Sequence, residues 1–525
     1  MVRAYAFTLK PIESQADAVL WSRRFGWLLT GLFLFRLGFA LFFSHQADLL
    51  GDEAYYWDWG RRPDWGYFSK PPMIGWLMAL VGRWSGNAAW GIRIAPLLFG
   101  TLTLAVTFAL ARRLYGARTA FLAACLLVLT PGNAGLNLFF TIDAPLLLAW
   151  SIALLCAWRA TEHPRPWAAW VGLGLAIGFG VLSKQMMLVF PLLLVLFALV
   201  SAPDHALLRQ PKLWLALLAG AACLTPVLEW NRQHHWITLE HTKHHFDSEN
   251  LGVGDWLART LEFPAVQALV YTPVTFAALA VVAWLGLRHW RALGRRERFL
   301  LVFSVVPLAG FLLLCLRQHI NPNWPAVFYL PLFLLAAAWL DGRLTGVPAA
   351  GPAWRRASLR TAAVITLLLH LGLVVLLLSP LRGHKKLADM QGWREAGRQA
   401  GAFLEQVPNP SQTFVLVAGY RYDAAQLAFS MPQKPRVYCW NKSGKVDSQY
   451  DVWPGPEERL GQDALILQAG KAESHPLGLR LAERFQTVEN LGRVEVSMSG
   501  GGLRAYDVFL GHNLLSWQKP GGGGS

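Results

Sequence analysis

Acidic side chains stand at two places where charge beside a long apolar segment is costly. Asp52 and Glu53 follow the first strongly apolar stretch, in GDEAYYWDWG, and Asp143 opens a later one, in FFTIDAPLLLAW. Charged groups at such positions must be solvated or paired, and they often mark chemistry. A carboxylate there can take a proton from a hydroxyl or hold a metal ion. It can also simply cap a helix, where the helix dipole favours negative charge.

Three cations could bind a phosphate. Lys70 precedes Pro71 and Pro72, which stiffen the backbone around it. Lys184 lies in the turn between two short apolar segments, and Arg317 lies at the end of another. Interrupted helices at membrane depth are tolerated only where they line protein or a cavity. The pattern therefore predicts an anion site, and a lysine that reaches water from a surface helix is the alternative for Lys70.

Five histidines crowd residues 230–262, and two of them have the spacing of metal ligands. His241 and His245 are four residues apart, so on a helix they would share a face and could bind zinc. No third ligand follows from the spacing, and no strict zinc pattern, P-loop or nucleotide-binding glycine fingerprint is present. No cofactor is certain, and a divalent metal stays open. An energised reaction would then need a donor that arrives already activated.

The composition predicts a membrane protein. Of 525 residues, 54% are hydrophobic and only 15% are charged, against about 25% charged residues in soluble domains. There are 25 tryptophans, a residue that gathers where a membrane meets water. The net charge of +16 could suggest nucleic acid, but the cations sit in short clusters between apolar runs. Membrane lipids are therefore expected as partners and nucleic acid is not.

Apolar runs predict the membrane-spanning helices. A spanning helix needs about 20 apolar residues, and the chain predicts about eleven, at most thirteen. Residues 72–86 form a shorter amphipathic piece, which predicts a helix on the membrane surface. The eleven predicted spans are 25–44, 88–111, 119–137, 143–160, 168–183, 186–202, 213–229, 263–287, 299–316, 324–340 and 361–380.

Lysine and arginine set the expected orientation. They are more frequent in the loops that face the cytoplasm if the N-terminus is inside, and cytoplasmic loops carry this excess in membrane proteins. An odd number of spans then places the C-terminal tail outside. Residues 45–87 become the first outward loop, and residues 230–262 become the second large one.

The apolar runs stop at about residue 381. Strand-like pieces follow, namely TFVLVAG, PRVYCW, ALILQAG, RVEVSM and RAYDVFLG, with a helical DAAQLAFSM between the first two. Strands that alternate with a helix predict a small α/β domain. The expected organisation is a transmembrane domain at 1–380, an outward α/β domain at 381–520 and an artificial linker, GGGGS, at 521–525.

The order of these motifs resembles the bacterial GT-C glycosyltransferases, relatives of protein O-mannosyltransferases and of the aminoarabinose transferase that modifies lipid A. The shared features are DE after the first span, KPP, TIDAP at a later span, PVLEWNRQHHW and INPNWPA. The resemblance covers most of residues 25–340 and extends to the tail. It implies a mainly α, polytopic GT-C membrane protein with a C-terminal extracytoplasmic α/β domain, in the bacterial inner membrane with its active site facing the periplasm.

The same resemblance implies an inverting enzyme that moves a monosaccharide from an undecaprenyl-phosphate donor to lipid A, lipopolysaccharide core or another envelope glycan. Asp52 would be the base or acceptor-positioning acid, beside Glu53 and with Asp143 as its partner. Lys70 would hold the donor phosphate, with Lys184 and Arg317 as further candidates. Residues 45–87 would form the active-site loop. The expected acceptor or sugar contacts are Tyr55, Tyr56, Trp57, Tyr67, Asn323 and Trp324.

One departure bears on the metal. The aminoarabinose transferase has an acid just before KPP, where this chain has Ser69, so a metal site that uses that acid is in doubt. Two other functions stay open from the sequence: a transporter or flippase of lipid-linked saccharides, and a ligase or polymerase of surface polysaccharide.

Overall fold

A computed structural model describes residues 13–244, 252–378, 389–441, 445–470, 475–498 and 502–517. The expected domain boundary at residue 380 and the linker at 521–525 lie outside these residues. The chain divides into two compact units. The first unit holds Met1–Phe39, Ile94–Glu229 and Thr242–Leu371, and the second holds Ala40–Arg93, Trp230–His241 and Gly372–Ser525.

Helices dominate the described chain, because long apolar sequences satisfy their backbone hydrogen bonds internally only as helices. In chain order they are α1 (Gln15–Gln46), α2 (Gly51–Gly60), α3 (Met73–Ser85), α4 (Ala89–Tyr115), α5 (Ala117–Val128), α6 (Pro131–Leu136), α7 (Asp143–Glu162), α8 (Trp167–Ser183), α9 (Val189–Val200), α10 (Pro211–Ala222), α11 (Thr225–Gln233), α12 (Ile237–His244), α13 (Val253–Tyr271), α14 (Pro273–Arg288), α15 (Arg295–Val302), α16 (Val305–Leu314), α17 (Ala326–Leu340), α18 (Pro352–Leu378), α19 (Trp393–Gln406), α20 (Arg421–Ser430), α21 (Gln449–Val452) and α22 (Leu479–Ala482).

Six helical segments of the described residues are long and apolar enough to cross a membrane, which takes about 20 residues. A seventh results if the pair Val253–Tyr271 and Pro273–Arg288, bent by 113°, forms one span. The chain is therefore a multi-pass membrane protein, as predicted. The six segments are Gln15–Gln46, Ala89–Tyr115, Asp143–Glu162, Pro211–Gln233, Arg295–Leu314 and Ala353–Val375.

The predicted number of eleven to thirteen spans exceeds this count. Each predicted segment coincides with apolar helix, but four of those helices are only 10–17 residues long. Hydropathy reflects composition and does not detect a break within an apolar segment. The predicted span 119–137, for example, contains most of α5, a turn and then α6. Thr130 caps α6 by accepting a hydrogen bond from the Asn133 amide. The four short helices are Ala117–Val128, Trp167–Ser183, Gln185–Val200 and Ala326–Leu340.

The core of the first unit forms around α17. Every residue of this helix is buried, as expected for a helix that is apolar on all sides. It packs against α5, α7, α14 and α15, and the rings of Phe328 and Trp150 meet with centroids 5.2 Å apart. This packing holds α7, the helix that begins at Asp143, in a fixed place within the first unit.

The second unit contains a five-stranded sheet in the order β2-β1-β3-β5-β4. Its strands are β1 (Phe414–Ala418), β2 (Val437–Cys439), β3 (Ala464–Gly470), β4 (Phe485–Ser497) and β5 (Leu503–Leu514). β1 runs parallel to β2 and β3, while β5 runs antiparallel to β3 and β4. β1 is buried along its whole length, as its continuous apolar run FVLVA requires.

The predicted α/β character of the tail is thus confirmed, and all five strand-like pieces form strands. The predicted helix between the first two strands is α20. It packs against α2, which comes from the far end of the sequence but belongs to the same unit. α2 also lies directly against α3, and a Cβ on Gly60 would meet the backbone nitrogen of Ala79 at 2.6 Å. Glycine at this position therefore permits the close packing of the two helices.

Candidate active site

Asp52 lies in the first turn of α2 and is the accessible acid of the predicted pair. It is half-buried, whereas Glu53 and nearly all the rest of α2 are fully buried. Its Oδ1 accepts a hydrogen bond of 2.6 Å from the hydroxyl of Tyr422. Within the described residues no hydrogen bond reaches its Oδ2. One carboxylate oxygen is therefore held in place while the other is available to a substrate.

Tyr422, which the sequence analysis did not single out, lies on α20. Its ring packs against Gly51, where a Cβ would stand only 2.7 Å from the ring. Burial, and then the charge of Asp52, raises the pKa of Tyr422 above its usual range. The phenol therefore keeps its proton and stays a donor to the carboxylate. No sequence pattern links the two residues, because 370 positions separate them.

Glu53 has a different environment from its neighbour. Its carboxylate forms a salt bridge of 2.9 Å with Arg93, and both side chains are completely buried. Its Oε2 also accepts from the backbone amide of Leu50 at 2.9 Å, which caps the start of α2. Arg93 in turn donates to the carbonyl of Asp48 at 2.9 Å. This arrangement ties the chain before α2 to the start of α4, and a catalytic role for Glu53 stays a prediction.

The aromatic residues predicted to contact the sugar or acceptor in this region lie inside the second unit. Tyr55, Tyr56, Trp57 and Tyr67 are all at most 6% exposed. The oxygen of Tyr55 accepts from the Gln449 amide at 2.5 Å. Trp57 donates to a side-chain oxygen and Tyr67 to two backbone carbonyls. These contacts hold α2 and its following loop in place, and a role in sugar binding stays a prediction.

Lys70 lies in the loop that follows α2. Its side chain is half-exposed, while Pro71 and Pro72 behind it are buried. The loop backbone is fixed on both sides, since the Phe68 amide donates to Gln449 at 2.6 Å and the Tyr67 amide donates to the Lys70 carbonyl at 3.1 Å. The lysine therefore projects from a well-held backbone, as the prediction of a phosphate-binding residue requires.

Of the two histidines predicted as metal ligands, the structure describes only His241, so that pair stays a prediction. His241 packs on the ring of Phe68, with centroids 4.7 Å apart, and His245 lies outside the described residues. Among the residues that the structure describes, no group of three histidine, cysteine or acidic side chains could hold a metal ion.

In the first unit, the structure brings together three residues that the sequence predicted separately. Asp143 begins α7, and its Oδ1 accepts a hydrogen bond of 2.7 Å from Nζ of Lys184, which follows α8. The other oxygen accepts from the side-chain amide of Asn323 at 2.6 Å. Asp143 is 2% exposed and Lys184 is 8% exposed. Each oxygen of the carboxylate thus has a donor, whereas the ammonium still has two donors for an anion.

The two remaining candidates of the first unit lie outside this cluster's hydrogen bonds. Arg317 is exposed, and its amide donates to the carbonyl of Leu314. Trp324 is half-buried and packs against the apolar core of the unit. Their roles in phosphate and sugar binding stay predictions.

Comparison with known proteins gives the family. Residues 69–230 match the model of dolichyl-phosphate-mannose-protein mannosyltransferases. The lipid A galacturonosyltransferase RgtD of Rhizobium johnstonii is 29% identical over 413 residues, which cover 77% of this chain and 82% of that protein. An undecaprenyl phosphate-aminoarabinose arabinosyl transferase of Pseudomonas fluorescens is 27% identical over 53% of this chain and 50% of its own length. Together these matches support a GT-C glycosyltransferase of the aminoarabinose transferase-like family.

The solved structures agree at the level of the fold. The structure of ArnT from Cupriavidus metallidurans superposes on this chain with a TM-score of 0.63 and 18% sequence identity. The alignment covers 94% of this chain and 100% of the ArnT chain. This match confirms the predicted combination of membrane helices with a small sheet domain. The sequence relatives confirm the predicted enzyme class. The sequence match to the Pseudomonas aminoarabinose transferases covers about half of their length.

Proposed function

We propose that this GT-C enzyme transfers a monosaccharide from an undecaprenyl-phosphate donor to lipid A or another saccharide of the cell envelope, with inversion at the anomeric carbon. The names of its relatives support this choice, since they include a lipid A and a lipopolysaccharide core galacturonosyltransferase. One ArnT structure is described as bound to undecaprenyl phosphate. The reaction takes place at the periplasmic face of the inner membrane; the excess of lysine and arginine in the loops predicted to be cytoplasmic supports this orientation of the 45–87 loop.

The observation that carries the proposal is the state of Asp52. One of its oxygens is fixed by Tyr422 at 2.6 Å, and the half-buried side chain remains accessible to an acceptor. When the acceptor is a hydroxyl, its oxygen attacks the anomeric carbon and its proton passes to Asp52. The bond from the anomeric carbon to the phosphate oxygen breaks, and the polyprenyl phosphate leaves with that electron pair. An ionised phosphate acceptor would need no proton transfer.

The cations serve the leaving group. Negative charge grows on the donor phosphate as its bond to the sugar breaks, and fixed positive groups stabilise that charge in a site with little water. Lys70 projects from its fixed loop in the second unit. Lys184 is held by Asp143 in the first unit, with donors left for a phosphate oxygen. We assign Lys70 to the donor phosphate and keep Lys184 as a further candidate for binding a phosphate.

A transfer assay tests the proposal. Purified enzyme in lipid nanodiscs receives an undecaprenyl-phosphate sugar and lipid A, and mass spectrometry counts the glycosylated product. Asp52→Asn should lower the rate by about 100-fold or more, because a positioned base contributes roughly 10²–10⁴. Glu483→Gln, which alters an exposed acid in the same unit, is the matched control. Transfer near the normal rate by a folded Asp52→Asn enzyme would refute the assignment of Asp52.

A further inference from the structure

One cavity in the second unit has a cationic lining. It has a volume of about 540 Å³, within the range of about 300–1,000 Å³ that is usual for ligand sites. Three arginines line it, Arg61, Arg62 and Arg436, together with Asp64, Trp453 and two prolines. It lies where the turn after α2 meets the chain that follows α21. None of its residues belongs to the predicted catalytic set.

Arg62 is the central group of this cavity. Its guanidinium lies over the ring of Trp453, 4.0 Å from the centroid. Its Nη2 is buried, and among the described residues it has no hydrogen-bond partner. Burial lowers the pKa of Arg62, while the charge of Asp58 acts in the opposite direction. A buried donor without a partner carries a desolvation cost that an anionic acceptor would remove.

The other two arginines differ in their availability. Arg61 is engaged, since it pairs with Asp58 and donates to the carbonyls of Pro435 and Lys434. Arg436 donates to the Glu458 carboxylate and to the carbonyl of Pro454 at 3.4 Å each and lies over the ring of Tyr438, while its buried Nε has no hydrogen-bond partner within the described chain. Two of the three guanidinium groups therefore have donors to offer. The planar arrangement of these donors fits phosphate and carboxylate oxygens.

Asp64 does not neutralise these arginines. Its Oδ1 accepts from the Trp65 amide at 2.7 Å, and its Oδ2 accepts from the indole of Trp230 at 2.8 Å. The lining thus combines three cations with one carboxylate that already has two neutral donors. This balance favours an anion over a cation, and the tryptophan and prolines add apolar surface of the kind that packs against sugar rings.

We propose that this cavity binds an anionic group, a phosphate or a carboxylate, carried by the saccharide that accepts the transferred sugar. Arg62 and Arg436 donate to the anion, and the sugar ring that bears it lies against the apolar part of the lining. This inference rests on the proposed function, because it assigns the anion to the acceptor. It adds a residue, Arg62, that selects acceptors by charge without taking part in the bond exchange.

The kinetic test compares acceptors with and without charge. Arg62→Gln should raise the KM for a phosphorylated lipid disaccharide by about 10- to 100-fold, the equivalent of roughly 1.5–3 kcal/mol for hydrogen bonds to a charged group. The kcat and the KM for the dephosphorylated acceptor should stay unchanged. Arg62→Lys should fall in between, and Arg480→Gln, at an exposed arginine of the same unit, should match the wild type. An unchanged KM for the phosphorylated acceptor in folded Arg62→Gln and Arg436→Gln enzymes would overturn the inference.

A binding test works without any transfer. Isothermal titration uses a diphosphorylated glucosamine disaccharide without acyl chains, and then inorganic phosphate alone. The disaccharide should bind the wild type and Arg480→Gln, bind Arg62→Gln at least 10-fold more weakly, and bind better than inorganic phosphate. Equal affinity for both probes would mark a site for the free ion and overturn the acceptor assignment. Arg62-dependent binding by an enzyme that transfers no sugar would uphold the anion site and refute the proposed function instead.

Discussion

The buried pair of Glu53 and Arg93 allows a stability effect to be separated from a chemical one. Both side chains are 0% exposed, and their closest charged atoms are 2.9 Å apart. Glu53→Gln keeps the volume and an oxygen that can accept from the Leu50 amide, but it removes the charge opposite Arg93. Removing one partner of a buried ion pair costs about 3–5 kcal/mol, because the other charge stays buried without its counter-ion. We therefore expect the free energy of unfolding to fall by about that amount.

The reverse substitution, Arg93→Met, should be about as costly, since it leaves the Glu53 carboxylate buried without its partner. The double variant should cost clearly less than the sum of the two single variants, because replacing both partners of a buried pair is often nearly neutral. Transfer per folded molecule should fall much less in Glu53→Gln than in Asp52→Asn, although the two acids are adjacent.

Thermal unfolding followed by tryptophan fluorescence in detergent micelles measures the first effect, and the nanodisc transfer assay measures the second. A melting temperature of Glu53→Gln equal to that of the wild type would refute the reasoning from burial. Wild-type stability combined with abolished transfer would place Glu53 in the chemistry itself.

Three further outcomes follow from the same contacts. Lys184→Met should lower both stability and transfer, because it leaves the buried Asp143 carboxylate with Asn323 as its only side-chain donor. Lys184→Met combined with Asp143→Leu should recover stability but not transfer. Recovery of transfer in the double variant would contradict a role of Lys184 in the reaction. Tyr422→Phe should lower kcat/KM by about 10-fold or more, because a hydrogen bond to a charged group contributes about 1.5–3 kcal/mol. The control Tyr420→Phe, at an exposed neighbour, should have little effect. Equal effects of the two substitutions would contradict the proposal that Tyr422 positions Asp52. In a spectrophotometric titration, Tyr422→Phe should remove an ionisation well above pH 10. Burial raises the pKa of Tyr422 in the folded state, so its stabilising bond is complete below about pH 10 and is lost as the pH rises through the raised value; loss of an ionisation near or below pH 10 would be inconsistent with this.

The first three strands of the second unit were predictable because each contains a short apolar run. β4 and β5 are 13 and 12 residues long, and the sequence predicted only part of each. β1 and β3 are buried strands of a partly parallel sheet, whose sequences read as continuous hydrophobic stretches. The helices were predictable in position but not in length. A turn such as the one at Thr130 adds only a few residues to an apolar run, so hydropathy does not detect it.

The candidate site was predictable in part. Asp143, Lys184 and Asn323 were each singled out by chemistry, and they form one hydrogen-bonded cluster. Arg93 carried a signal as well, because a cation inside the apolar sequence of α4 needs a partner, but the sequence did not indicate that Glu53 is that partner.

The contact between Tyr422 and Asp52 carried no signal at all. Such a pairing depends on how α20 packs against α2, and that packing brings together segments from opposite ends of the chain. Spacing and periodicity describe neighbours along one element and contain no information on contacts of this kind.

The second unit is assembled from three separate stretches, Ala40–Arg93, Trp230–His241 and Gly372–Ser525. The first of these stretches is translated long before the last. During most of translation α2 therefore lacks α20, the helix that carries Tyr422. The carboxylate of Asp52 is consequently unsupported until synthesis is almost complete. A nascent or prematurely terminated chain that ends before residue 414 would insert its membrane helices yet lack the support that orients Asp52, so such incomplete products should have impaired transfer.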